Sequence, residues 1–173
     1  MIFLRHPKPD QAPGLCYGRT DLDIGLDGAA QIARALEITP KVAGVIASPA
    51  LRCRRLAEGL AARDGVALSF DSRLWELDFG DWDGVPWARI GRENSDRWAD
   101  DPWRIAPPGG ETFAQLHARV GAVLAQVTPG TALVCHAGPI RVARMILTGA
   151  GFAAVFAEAV PYASPVRFRR ETV

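Results

Sequence analysis

Short apolar runs alternate with amphipathic stretches along this chain. Met1 to Leu4 is apolar throughout and predicts a buried strand, which Arg5, His6 and Pro7 then end. Pro7 to Gly18 is rich in Pro, Gly and Asp and predicts a loop. From Gly28 to Glu37, behind an Asp27 N-cap, Ala29, Ile32, Ala35 and Leu36 keep helical spacing. Val42 to Ser48 is a second apolar run. Pro49 then takes a first helical position, and that helix is expected to reach about Arg63. Val66 to Phe70 predicts a third strand. Glu111 to Val127 carries Phe113, Leu116, Val120, Val123 and Leu124 on one side and predicts a helix. Thr131 to His136 predicts a fourth strand, followed by a helix over Gly138 to Leu147. Val155 to Val160 and Val166 to Phe168 are expected to close the sheet.

Strand and helix in alternation predict an α/β protein. The expected form is a three-layer α/β/α sandwich whose mostly parallel central sheet is covered on both faces. The length of 173 residues suits one domain with its own core. One stretch breaks the alternation. Asp71 to Gly110 holds all five tryptophans, several acids and a Pro-Pro-Gly-Gly close. It predicts a lid-like excursion with one or two short helices, inside the same domain. Trp82, Trp87, Trp98 and Trp103 are expected to pack this excursion, since aromatic rings dominate small cores. Stacking on a flat substrate ring is the alternative.

Composition narrows the function classes. A net charge of +1 gives no overall field for nucleic acid or membrane, so neither is expected as a partner. No charged segment followed by a long apolar one opens the sequence, and no apolar run approaches the ~20 residues of a membrane helix. Cys16, Cys53 and Cys135 have no metal-ligand spacing. A reduced, cytoplasmic protein with inert buried thiols is expected. The apolar stretch Gly149 to Val160 reads as either a core strand or a homodimer interface.

In open parallel sheets, sites form beyond the carboxyl ends of the strands. That rule gathers remote pieces of this chain. Arg5-His6 follows the first strand, Ser48-Pro49 with Arg52 follows the second, and His136-Ala137-Gly138 follows the fourth. Two helix N-termini at this rim would offer backbone N–H groups to an anion. Arginine forks match phosphate oxygens, and a neutral histidine can carry a phosphoryl group. Nearby cations would lower the histidine pKa and keep a nitrogen free. An acid for the leaving oxygen must come from Glu76, Asp78, Asp81 or Asp83, where apolar neighbours can raise a carboxyl pKa. Composition alone leaves Glu76 and Asp78 even, and only spacing from Ser48 favours Arg52 over Arg54 and Arg55. His117, in mid-helix, reads as a bystander.

Several motifs carry a family resemblance. "LRHPKP", "SPALRCRRLAE", "ELDFGDWDG", "PGGETF" and "VCHAGPIR" follow one another between Ile2 and about Leu147. In order and spacing they resemble the motifs of the histidine phosphatase superfamily, which includes the phosphoglycerate mutases. The resemblance implies a phosphoglycerate mutase-like fold and a phosphomonoester hydrolase that needs no metal or other cofactor. It implies that His6 is the nucleophile and that Arg5, Arg52 and His136 hold the phosphoryl oxygens. Ala137 also falls at the phosphate, Glu76 is the acid and base, and Arg19 adds a contact to phosphate or substrate. Gly14 to Leu26 and "RCRRLAE" are most similar to the α-ribazole phosphatase branch, which acts in cobalamin assembly. Phosphatases of other small-molecule or protein specificity, a mutase and a non-catalytic phosphate-binding module are the alternatives. The chain departs from the family pattern at Pro7, where Gly is usual, and at Pro9 and Ala12, where Thr and Asn are common. Ala163 and Ser164 stand where relatives often have Asn and Ser.

Overall fold

The computed structural model describes residues 1–11 and 13–168; the departure at Ala12 lies outside them. Five strands form one sheet: β1 (Ile2–Arg5), β2 (Gly44–Ala47), β3 (Leu68–Phe70), β4 (Thr131–Cys135) and β5 (Pro165–Arg167). Their spatial order is β3-β2-β4-β1-β5. The pairs β2–β3, β2–β4 and β1–β4 are parallel, and β5 runs antiparallel to β1 along one edge.

Alternation along the two central strands builds the layers. Phe3, Leu133 and Cys135 pack with α4 (Phe113–Leu124) and α5 (Ala137–Thr148). Their neighbours Leu4, Ala132 and Val134 face the opposite side, with α2 (Leu51–Asp64) and Ala35 of α1 (Gly28–Ile38). Successive strand residues point to opposite faces, so a strand covered on both sides is apolar at every position. All five residues of β4 are buried accordingly. This is the α/β/α sandwich that the apolar runs predict.

Three expectations need correction. Val155 to Val160 is not a strand: α6 (Phe152–Ala157) occupies its first half. Phe152, Val155 and Phe156 have the i, i+3, i+4 spacing of one helical face, and three alanines favour the helix. Phe152 and Phe156 lie 5.0 and 5.4 Å from the Phe113 ring, so this apolar stretch packs against α4. Pro49 precedes the helix instead of starting it, since α2 begins at Leu51. The Asp27 side chain makes no capping hydrogen bond, although it stands at the N-cap of α1.

The aromatic excursion has one regular helix, α3 (Arg92–Asp100), and three single helical turns, Ser72–Leu74, Gly80–Trp82 and Trp87–Arg89. Phe79, Trp82, Trp87 and Trp98 form a cluster with centroids 5.8 to 6.4 Å apart. Trp103 packs on Phe113 and His117, which leaves His117 away from the strand ends. Among the described residues no helix is long and apolar enough to cross a membrane.

Candidate active site

Strand register brings the two imidazoles together. Arg5 of β1 pairs with Cys135 of β4, so the next residues, His6 and His136, leave the sheet side by side. Their ring centroids are 5.1 Å apart. Ser48 leaves β2 at the same level, with its N–H on the Val134 carbonyl. His6 is 1% exposed, and His136, Ser48 and Arg52 are fully buried. Among these strand-end residues only Arg5 is partly exposed.

Each ring has one nitrogen occupied. His6 Nδ1 lies 2.7 Å from the Pro7 carbonyl. A carbonyl only accepts, so Nδ1 carries the hydrogen and Nε2 keeps its lone pair. Residue 7 contributes its carbonyl here, which proline retains. On the other ring, Nε2 of His136 is 2.9 Å from Ser48 Oγ. That hydroxyl is also 3.4 Å from the Ala50 N–H; a neutral ring whose Nε2 accepts from Ser48 carries its hydrogen on Nδ1, which has no protein acceptor. Burial is the largest cause lowering the pKa of both histidines. The Arg52 and Arg5 cations push in the same direction, against the Pro7 hydrogen bond in the case of His6. The imidazoles are therefore neutral at pH 7.

Arg52 donates to the carbonyls of Thr20 and Gly18, both at 2.8 Å. Arg5 donates to the Val160 carbonyl at 2.9 Å and the Tyr162 hydroxyl at 2.8 Å. No carboxylate pairs with either cation among the described residues. Arg5 Nε, Arg52 Nε and His136 Nδ1 are buried donors without a protein acceptor. Buried donors are nearly always satisfied, so three at one rim mark a place for an anion. Arg54 and Arg55 point elsewhere, onto Phe70 and Asp23.

The helix termini contribute less than expected. The Leu51 N–H at the start of α2 is taken by Asp21 at 2.8 Å. At α5 the Gly138 N–H goes to Glu76, at 3.0 and 3.2 Å from its two oxygens. The Ala137 N–H is left among the first-turn amides, which have no intrahelical acceptor.

Glu76 is thereby separated from its rivals. Asp78 accepts from the Gly80 N–H and lies 3.5 Å from Arg19 Nε. Asp83 accepts from the backbone N–H groups of Gly18, Arg19 and Thr20 and from the Thr20 hydroxyl. Among the described candidate acids, Glu76 is the one that reaches Gly138, two residues after His136. Arg119 of α4 donates to the carbonyls of Arg73, Trp75 and Glu76 and so holds this carboxylate's backbone. Arg19 stays with Asp78 and Glu111, its guanidinium carbon 5.6 Å over the Trp75 ring.

A model of the histidine phosphatase superfamily, branch 1, matches residues 1–172. The chain belongs to that superfamily. Glucosyl-3-phosphoglycerate phosphatase of Mycolicibacterium vanbaalenii is 30% identical over 131 residues, 69% of this chain and 55% of the relative. Phosphoserine phosphatase 1 of Hydrogenobacter thermophilus is 27% identical over 160 residues, 86% of this chain and 76% of the relative. The solved structure of mycobacterial hydrolase 1 superimposes with a TM-score of 0.84 at 25% identity, covering 95% of this chain and 86% of that one. The chain spans 44% to 59% of the length of its curated mycobacterial relatives.

In this member of the superfamily, several residues at the rim escaped the sequence reading. Trp75 lies parallel to the His136 ring at 6.0 Å, and Tyr17 and Tyr162 flank His6 at 6.5 and 5.6 Å. Among these, Trp75 and Tyr17 lay inside or beside quoted motifs without a polar signal that would single them out. Ala163, next to Tyr162, has φ 45°, a left-handed backbone that Asn tolerates better than Ala. Cys53 sits 3.6 Å from His136 Nε2, but burial pushes its thiol up to about 12, so it stays protonated. All three cysteines are free and buried.

Asp83 acts at a distance. It fixes the loop 18–20, and the carbonyls of that loop fix Arg52. Asp83→Ala is expected to lower kcat/KM for a phosphomonoester roughly tenfold or more, because a misplaced clamp loses alignment. It should also weaken inhibition by inorganic phosphate. In an Arg52→Met background the same change should add little. Fully additive losses would show that Asp83 acts elsewhere.

Proposed function

We propose that this protein hydrolyses a phosphomonoester in two steps through a phosphohistidine at His6. In the first step the Nε2 lone pair attacks phosphorus, the P–N bond forms, and the P–O bond to the alcohol breaks. The leaving oxygen takes a proton from Glu76. In the second step water attacks the same phosphorus and gives its proton to the Glu76 carboxylate. The P–N bond breaks, and the electron pair returns to His6. Arg5, Arg52, His136 and the Ala137 N–H hold the phosphoryl oxygens, doing the charge stabilisation that metal ions do in other phosphoryl transfers. One observation carries this reading: a free imidazole nitrogen stands beside three buried donors that have no protein acceptor.

The alcohol half is open to more than one assignment. The loop from Gly14 to Leu26 favours α-ribazole 5′-phosphate, by its resemblance to that branch. The relatives bring glucosyl-3-phosphoglycerate and phosphoserine as further substrates. Phosphate release from a panel of these esters, nucleotides and sugar phosphates tests the reading. Turnover of at least one is expected. Tight phosphate binding with no turnover across the panel would instead make the chain a binding module, and a requirement for 2,3-bisphosphoglycerate would make it a mutase.

The acid has its own test. A Cβ on Gly138 would lie 2.2 Å from Glu76 Oε1, so Gly138→Ala must displace that carboxylate. Gly138→Ala and Glu76→Gln are both expected to slow alkyl phosphates by about a hundredfold and p-nitrophenyl phosphate far less, because nitrophenolate leaves without a proton. Equal losses on both kinds of ester would remove Glu76 from the proton transfer.

A further inference from the structure

Among the described arginines that are buried or half-buried, three have no carboxylate partner: Arg5, Arg52 and Arg141. The first two belong to the phosphate pocket. Arg141 has no such assignment. It lies four residues past Ala137 on α5, ~6 Å along the helix axis, and its guanidinium turns toward α6.

The surroundings of Arg141 place it on the leaving-group side. A cleft of about 80 Å³ adjoins Glu76 and Gly138, and its walls include Phe79, Trp98, Phe156 and Arg141. The Arg141 guanidinium carbon lies 4.7 Å over the Phe156 ring, and Nε donates to the Val155 carbonyl at 3.2 Å. Those two contacts fix the fork, and its terminal nitrogens make no hydrogen bond to any described residue. Burial makes the charge costly, the Arg5 cation adds to that cost, and the Glu76 carboxylate offsets part of it. A half-buried cation held in place without a direct ion pair is unusual unless a ligand supplies one.

We infer that Arg141 is a specificity residue that binds a second anionic group, a carboxylate or phosphate, on the alcohol half of the substrate. This rests on the phosphatase reading, since it takes the cleft beside Glu76 as the place of the departing alcohol. The aromatic walls then cover the short carbon chain between the two anionic ends.

A matched pair of esters tests it. 3-Phosphoglycerate and glycerol 3-phosphate differ only by a carboxylate in place of a hydroxymethyl group. The unaltered protein is expected to favour the carboxylate by at least tenfold in kcat/KM, mainly through KM. Arg141→Met should bring that ratio close to one, and Arg141→Lys should restore part of it. Propane-1,3-diol bisphosphate separates a second phosphate from a carboxylate as the preferred group. A ratio near one for all three esters in the unaltered protein overturns the inference, as does a tenfold ratio that survives Arg141→Met. Calorimetry on a His6→Ala variant measures the same preference as binding, without turnover. Tenfold tighter binding of the carboxylate ester, with the unaltered protein hydrolysing no phosphomonoester, would support the Arg141 site and refute the phosphatase reading. Equal hydrolysis of both esters would do the reverse.

Discussion

Replacing His6 by alanine is expected to abolish phosphatase turnover, with kcat falling roughly 10⁵-fold on p-nitrophenyl phosphate. Among the described residues this ring supplies the one unpartnered imidazole lone pair beside the buried donors, while the other ring's Nε2 is tied to Ser48. No neighbour can substitute: Cys53 is held protonated, and the Tyr17 phenol is pushed upward by burial and by Tyr162. Near-normal turnover in this variant would end the phosphohistidine mechanism. The same ring makes a prediction about stability. The pKa of His6 and that of His136 are lowered in the fold, below the ordinary 6.5. Below about pH 6.5 the unfolded chain therefore binds more protons than the folded one, and stability falls as pH drops. Above that pH both states carry neutral rings, and the contribution is fully present. Melting temperature should be lower at pH 5 than at pH 7.5, with a shallower slope in His6→Ala. An identical slope in the variant would show that His6 does not contribute.

Arg52→Lys is expected to cost about 10²- to 10³-fold in kcat/KM, in line with losing a preorganised donor to developing charge. Lysine keeps the charge but not the fork. The Arg52 guanidinium holds the Gly18 and Thr20 carbonyls with two nitrogens and keeps Nε as a third donor. An ammonium on a flexible stem cannot reproduce that plane. The change should also lower stability by about 1–3 kcal/mol, because a buried carbonyl loses its donor. Measured together, kcat/KM, phosphate inhibition and the melting curve decide the matter. A lysine variant with full activity would show that Arg52 is only structural.

The two predictions differ in how far they could be read without coordinates. Arg5 and His6 end an apolar run followed by Pro7, and His136 ends another, so strand-end placement was legible from the pattern alone. Arg52 was less so: among three nearby arginines only its spacing from Ser48 favoured it, and the contacts with loop 18–20 are what set it apart in the structure. Likewise Glu76, Asp78 and Asp83 looked alike in one acidic stretch. The structure gives them different tasks: a contact with α5, a loop turn paired to Arg19, and a clamp on the opposite loop. The stretch from Val155 to Val160 misled because a short apolar run fits strand and helix equally. Phe156, with Phe152 one turn before it, packs on Phe113 of α4, and that decided for α6.

What the amino-acid order determined by itself was the layering and the strand ends. Alternation and helical spacing are local properties, carried by neighbours a few residues apart, so β1, β4 and the histidines that follow them could be placed without a fold. Which cation is free, which acid meets α5 and which arginine faces the departing alcohol were decided only in three dimensions. Those choices depend on groups far apart in the chain, such as Gly18 and Asp83 at a separation of 65 residues, and no local pattern records where such groups meet.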